Sequence, residues 1–149
     1  MLCDVCEDLF VPKNLVCLWE RLLQTRNKII PYFTIHNAHE FIDFMTITFG
    51  AKVVKLARHN DGTVQHARLI IDDSIMMLNE ASENYPANSS QMHIYVNSVQ
   101  ETYEIAIQKK CLSLMQPMMR PHGDLMAGFK DPFGNTWWIA ELSSQTLIK

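Results

Sequence analysis

One offset organises this chain. Ile35 and Val96, Phe44 and Ile105, Gly62 and Gly123, Asp73 and Gly134, and Leu78 and Ile139 are each 61 residues apart. Strand ends, helix faces and turn residues recurring at one spacing point to a duplicated unit. In the first copy, residues 30–35 read as a strand and 38–49 as a helix. The helix carries an apolar face of Phe41, Ile42, Phe44, Met45 and Phe49, and Gly50 stops it. Residues 51–57, 64–71 and 75–78 then read as three strands, turned at Asn60-Asp61-Gly62 and at Asp72-Asp73. The second copy repeats the order: a strand over 91–96, a helix over 98–110 with Val99, Tyr103, Ala106 and Ile107 on one side, and a strand over 112–115. Two more strands follow, 125–129 and 136–142, after a turn at Pro121-His122-Gly123. The expected fold class is therefore α+β, built of two tandem βαβββ modules over 29–84 and 91–142, joined by the polar linker 85–90.

Residues 1–28 stand outside the repeat. Pro12 opens a predicted helix whose stripe is Leu15, Leu18, Trp19, Leu22 and Leu23. Such a stripe needs burial, against the body of the domain (29–149) or against a second copy, and one expectation is an interaction module driven by 12–26. Cys3-x-x-Cys6 lacks the second pair that a closed zinc site requires and the preceding strand of a redox motif. The N-terminus is acidic rather than basic, and no apolar run approaches the ~20 residues that span a bilayer. A cytoplasmic protein with reduced cysteines is expected. Forty-eight per cent hydrophobic content over 149 residues suffices for one core, while a net charge of −3 offers no footprint for nucleic acid or anionic lipid.

The most specific stretch closes the second copy. Asp131-Pro132-Phe133-Gly134-Asn135 is turn chemistry, and the runs on either side read as one hairpin with Trp137 and Trp138 on opposite faces. This run resembles the last hairpin of the glyoxalase/bleomycin-resistance/dioxygenase, or vicinal oxygen chelate, superfamily, and most nearly its PhnB-like branch. Pro31-Tyr32-Phe33, His66-Ala67-Arg68-Leu69 and His93-Ile94-Tyr95-Val96 are similar to further PhnB-like signatures. The resemblance covers about residues 29–142. It implies that each module curls into half a barrel and that the halves enclose a cleft.

Enzymes of that superfamily hold a divalent metal with one ligand from the first and last strand of each module. Carried onto this chain, those positions are Ile30, Met77, Gln91 and Trp138. Isoleucine has no lone pair, indole only donates and a thioether is soft, which leaves Gln91 alone as a ligand. His93 and Tyr95 share a strand face with Gln91, as do Tyr32 and Thr34 in the first copy, and the facing of His66 is open. The expected ligand-binding residues are Tyr32, Met77, Gln91, His93, Tyr95 and Trp138, with His66, His93 and Gln91 as weak metal candidates. Met115, Met118 and Met119 are possible adaptable walls, Arg120 and His122 possible gates, and Glu80 and Glu141, which match across the repeat, are read as solvated strand-end carboxylates. No Gly-x-Ser-x-Gly, P-loop or Gly-x-Gly-x-x-Gly is present. Two functions follow. The first is a small-molecule binder without the usual metal and with no cofactor, working as a homodimer. The alternative is a metal-dependent lyase, isomerase or dioxygenase using His66 and His93.

Overall fold

The computed structural model describes residues 29–141. The 12–26 stripe, Cys3, Cys6 and residues 142–149 lie outside them. The first module runs β1 (Tyr32–Ile35), α1 (Ala38–Phe49), β2 (Lys52–Arg58), β3 (Val64–Ile71) and β4 (Ser74–Glu80). The second runs β5 (Gln91–Tyr95), α2 (Val99–Gln108), β6 (Leu112–Met119), β7 (Leu125–Lys130) and β8 (Thr136–Glu141). Each module folds its strands into one sheet, in the order β1-β4-β3-β2 and β5-β8-β7-β6. The first and last strands of each sheet pair in parallel and the remaining pairs are antiparallel. Neither sheet closes on itself.

The duplication holds in register as well as in order. Tyr32 pairs with Met77 and, 61 residues on, His93 pairs with Trp138. The hairpins between the second and third strands also match at 61, His59 accepting from Gly62 N–H as Arg120 accepts from Gly123 N–H. The middle strands match at 60: Val53 with Leu69 and Ser113 with Phe129, each followed by an irregularity at the next residue. A single spacing is thus an approximation. Counted from the start of the helix to the second strand, the second module is one residue shorter; it regains that residue along β6 before the hairpin, loses it again along β7 and regains it in its last turn.

Both helices are fastened at their N-termini by the last strand of their own module. Glu80 accepts from the backbone N–H groups of Asn37 (2.8 Å) and Ala38 (2.9 Å), and Glu141 accepts from Val99 N–H at 3.1 Å. These donors have no intrahelical partner, and a carboxylate there also meets the positive end of the helix dipole. The expectation of solvated carboxylates is corrected: a strand end is polar here because a helix begins beside it. α1 ends on Gly50 at φ 66°, and its counterpart turn uses Lys110 at the same φ. β6 continues to Met119, beyond the expected 112–115, because an edge strand tolerates the missing N–H of Pro117.

One core serves both modules. Phe33 and Ile35 on β1, Phe41, Phe44 and Met45 on α1, and Phe129, Trp137 and Ile139 on the last hairpin are all buried in it. Phe33 stacks on Trp137 across the module boundary, centroids 6.1 Å apart and rings 11° from parallel. The linker is stitched to both sides: Asn88 bonds the backbone of Thr34 through its own N–H and its side-chain oxygen, and Ser90 bonds Asn135 and Thr136.

The last turn is held by a buried carboxylate. Asp131, 4% exposed, accepts from the backbone N–H groups of Phe133 (2.9 Å) and Asn135 (2.8 Å), from Asn135 Nδ2 (3.1 Å) and from Trp137 Nε1 (2.8 Å). Removing a buried acceptor strands its donors, at a cost of about 2–4 kcal/mol. Urea denaturation of Asp131→Ala is expected to show a loss of that order, and a loss under about 0.5 kcal/mol would contradict this role for the carboxylate.

Candidate functional site

Strand alternation sorts the side chains onto two faces. Toward the helices point Phe33, Ile35, Ala67, Leu69 and Leu78 in the first sheet and Phe129, Trp137 and Ile139 in the second, all buried. On the opposite faces, away from the described helices, most side chains are half-buried or exposed, with Ile70, Ile75 and Ala140 as buried exceptions; these are the open faces. Every expected ligand-binding residue lies on one of them.

On the first sheet, Tyr32 neighbours Met77, and Met77 lies opposite Arg68. The period of two puts His66 on this face with Arg68. The Tyr32 hydroxyl is 3.4 Å from His66 Nδ1, and Arg68 Nε donates to His66 Nε2 at 3.3 Å. Thr34 donates to Asn79 at 3.0 Å along the same face. Toward the far end, Ile30 and Val54 pack on Ile70 and Ile75 as a small separate apolar cluster. Burial is the main influence on His66, with Arg68 and then Lys55 adding to it, and all three hold its imidazole below the ordinary value of 6.5.

On the second sheet, His93 neighbours Trp138, and Tyr95 meets His93 edge-on, with centroids 5.1 Å apart and planes at 77°. Tyr95 is 51% exposed and Trp138 half-buried. Gly128 lies opposite Trp138, and a Cβ there would overlap the indole ring. The glycine thus lets the indole lie down on the sheet, making a shelf of Tyr95, His93 and Trp138.

Two concavities adjoin these faces. A cleft of about 500 Å³ lies at the seam of the sheets, lined by Phe33, Met92, Ile94 and Trp137 from the helix-facing sides as well as by Ile75, His93 and Tyr95. A wider one of about 1180 Å³ spreads over Tyr32, Thr34, Asn79 and Tyr85. His93 and Tyr95 therefore line the first and Tyr32 the second. Met77, Gln91 and Trp138 share the open faces but line neither.

The residues present do not fit a divalent metal. Ile30 is packed among isoleucines, and among the described residues no three His, Cys, Asp or Glu side chains gather. His66 and His93 stand on different sheets. Both nitrogens of His66 already have partners, and its neighbours Arg68 and Lys55 would repel a dication. Arg120 reaches back to Met115 Sδ on β6 at 4.0 Å, and His122 lies 3.7 Å from Asp124 within the turn. Cys111 is buried, and its thiol is pushed up to about 12 by that burial and by Asp131, so it is no nucleophile. Sequence reasoning missed Lys55 and Arg68. The His66-x-Arg68 spacing was the available sign that both share a face.

The chain matches the family model described as glyoxalase/bleomycin resistance protein/dioxygenase superfamily over residues 32–139. Its fold is similar to that of TioX from Micromonospora sp. ML1, with a TM-score of 0.65 and 18% identity over 76% of this chain and 96% of that one. It is similar to that of a PhnB protein from Bacillus cereus, described as a putative 3-demethylubiquinone-9 3-methyltransferase, with 0.62 and 19% over 78% and 100%. The fosfomycin resistance protein FosX from Mesorhizobium loti gives 0.57 and 10% over 81% and 96%. No curated protein matches the chain. None of the described helices is long and apolar enough to cross a membrane.

The charged neighbours of His66 set a test. Its NMR titration midpoint is expected below 6.5, and Arg68→Gln should raise it without fully restoring it, because burial remains. The sign follows from the cause: burial and two cations all disfavour the imidazolium. A midpoint at or above 6.5 in the parent protein would contradict the arrangement.

Proposed function

The chain belongs to the glyoxalase/bleomycin resistance protein/dioxygenase superfamily, and from that premise we propose that it is a small-molecule-binding protein that works without the four-ligand metal. The ligand lies across the open faces and the seam cleft, in contact with Tyr32, Met77, Gln91, His93, Tyr95 and Trp138. The observation that carries this reading is the shelf on the second sheet. Three ring side chains lie side by side on a face that none of the described helices covers, and a glycine makes room for the largest. Aromatic surface left partly in water favours a flat, largely apolar ligand, which recovers the burial that the fold does not provide.

Two copies associate in the same reading. Among the described residues β6 is the edge of its sheet, and Leu112, Leu114, Met118 and Met119 along it are 46–65% exposed. An apolar edge of that kind is normally covered. Sedimentation at micromolar concentration is expected to give a dimer, and Leu114→Lys to shift it toward monomer; a parent protein that sediments as a monomer would remove this element.

Binding is tested with a neutral planar dye. Nile red should bind saturably, quench tryptophan emission, and lose about tenfold or more in affinity in Trp138→Ala. Gly128→Ala should weaken it similarly by forcing the indole off the sheet. Non-saturable uptake, or equal affinity in the parent and both variants, would overturn the reading.

A further inference from the structure

Two cavities meet beside Asp72. The seam cleft and a smaller recess of about 240 Å³ share Ile71, Asp72, Ile94 and Tyr95 as lining residues. The recess lies between the last turn of α1, at Thr48 and Phe49, and the first turn of α2, at Ser98, Glu101 and Thr102. Among the described residues, the carboxylates that line the pair are Asp72, Asp73 and Glu101, and no lysine or arginine lines either cavity. Glu101 stands in the first turn of α2, where the helix dipole already meets it. The two aspartates of the β3–β4 turn therefore give this corner its charge. Asp73 accepts from the Ser74 hydroxyl at 3.2 Å. No hydrogen bond or ion pair among the described residues holds the Asp72 carboxylate. Lys52 lies opposite Ile70 near the same end of the sheet, and no ion pair joins it to either aspartate.

The walls differ on the two sides of this corner. Toward the cleft they are apolar, with Phe33, Ile75, Met92 and Trp137 among them. Tyr95, 51% exposed, stands where the cavities join. A carboxylate and an aromatic ring together suit an ammonium group, the first through charge and hydrogen bonding and the second through its π face. Toward the recess the wall is polar. Thr48 is 5% exposed there, and its hydroxyl oxygen is, among the described residues, the buried side-chain polar atom that lacks a hydrogen-bond partner. Buried polar atoms are nearly always met, by ordered water or an ion where the protein does not serve, so this oxygen points to a polar occupant beside it.

We propose that the corner formed by Asp72, Asp73 and Tyr95 binds the ammonium group of a cationic small molecule whose flat apolar body lies in the seam cleft. The aspartates supply charge, Tyr95 supplies a ring, and the recess at Thr48 holds the water that stays with the ammonium. The inference rests on small-molecule binding in the seam cleft and names the ligand class within it: an amine on an aromatic body. A chain of net charge −3 also draws a cation more readily than an anion.

The test uses the full-length protein and four probes: naphthylmethylamine, a cation at neutral pH, the neutral naphthylmethanol, the anion naphthoate, and Nile red. In amide NMR titrations the amine should give saturable shifts at Asp72, Asp73 and Tyr95 and bind about threefold to tenfold more tightly than the alcohol. Naphthoate should give no saturable shift there, and added salt should shrink the preference for the amine. Asp72→Asn and Asp73→Asn should each weaken the amine by about threefold and leave the alcohol and Nile red unchanged. Both positions are exposed, and asparagine accepts the φ of 51° at position 72, so neither variant disturbs the turn. Asp43→Asn, on the exposed side of α1, should change nothing. Equal affinity for amine and alcohol, or the same loss in Asp43→Asn as in Asp72→Asn, would overturn the ammonium site. Saturable Nile red binding with no preference for the amine sinks this inference alone; a preference for the amine without saturable Nile red binding sinks the aromatic reading alone.

Discussion

The Asp131 carboxylate is the point on which the arrangement turns. A buried charge is costly unless its lone pairs are met, and here backbone, amide and indole N–H groups all meet it. Its bond to Trp137 Nε1 does more than close a turn. It fixes that indole where it stacks on Phe33 and packs against Phe49, so the second module is keyed into the core of the first. The pleat then leaves no choice for the next residue: with Trp137 facing inward, Trp138 must face the open side. Gly128, opposite it, lets the second indole lie flat.

The two modules are alike where they face the helices and unlike where they do not. Phe33 and Ile94, Leu78 and Ile139, Ala38 and Val99 occupy equivalent places and all are apolar. On the open side the equivalents are Tyr32 and His93, Met77 and Trp138, Arg68 and Gly128. Packing at close to crystalline density restricts the first set, since a change of even one methylene is felt. Most open positions are less restricted, Gly128 beneath the Trp138 indole being an exception. The first sheet carries Tyr32, His66 and Arg68 on this side and the second His93, Tyr95 and Trp138, while the strand order beneath is the same in both. The fasteners are duplicated too, a carboxylate from the last strand meeting the helix N-terminus in both modules.

Much of this was legible in the sequence because its signals are local. Helix periodicity, Gly50 as a stop, the Asn60-Asp61-Gly62 turn and the doubled tryptophans after Asp131-Pro132 each report on a few neighbouring residues. The family resemblance put Gln91 and Trp138 on the cleft side, and alternation then carried that face to His93 and, through the repeat, to Tyr32. What escaped depends on partners distant in the chain. Glu80 looks like any strand-end carboxylate until the N-terminus of α1 is set beside it. The facing of His66 was undetermined because β3 carries large side chains on both sides, and only its pairing with β4 settles it. Asp131 was legible as a turn former but not as the acceptor for an indole six residues on. Compensating changes of one residue, in α2, on either side of the hairpin at Gly123 and in the last turn, hid behind landmarks that all fall where the spacing returns to 61.

Asp131 ties one tryptophan into the core and so sends its neighbour to the open face. Hydrogen exchange of the indole Nε1–H groups measures this directly. Trp137 is expected to exchange only on global unfolding, and Trp138 orders of magnitude faster, as a half-exposed ring does. A Trp137 indole that exchanges as quickly as that of Trp138 would contradict it.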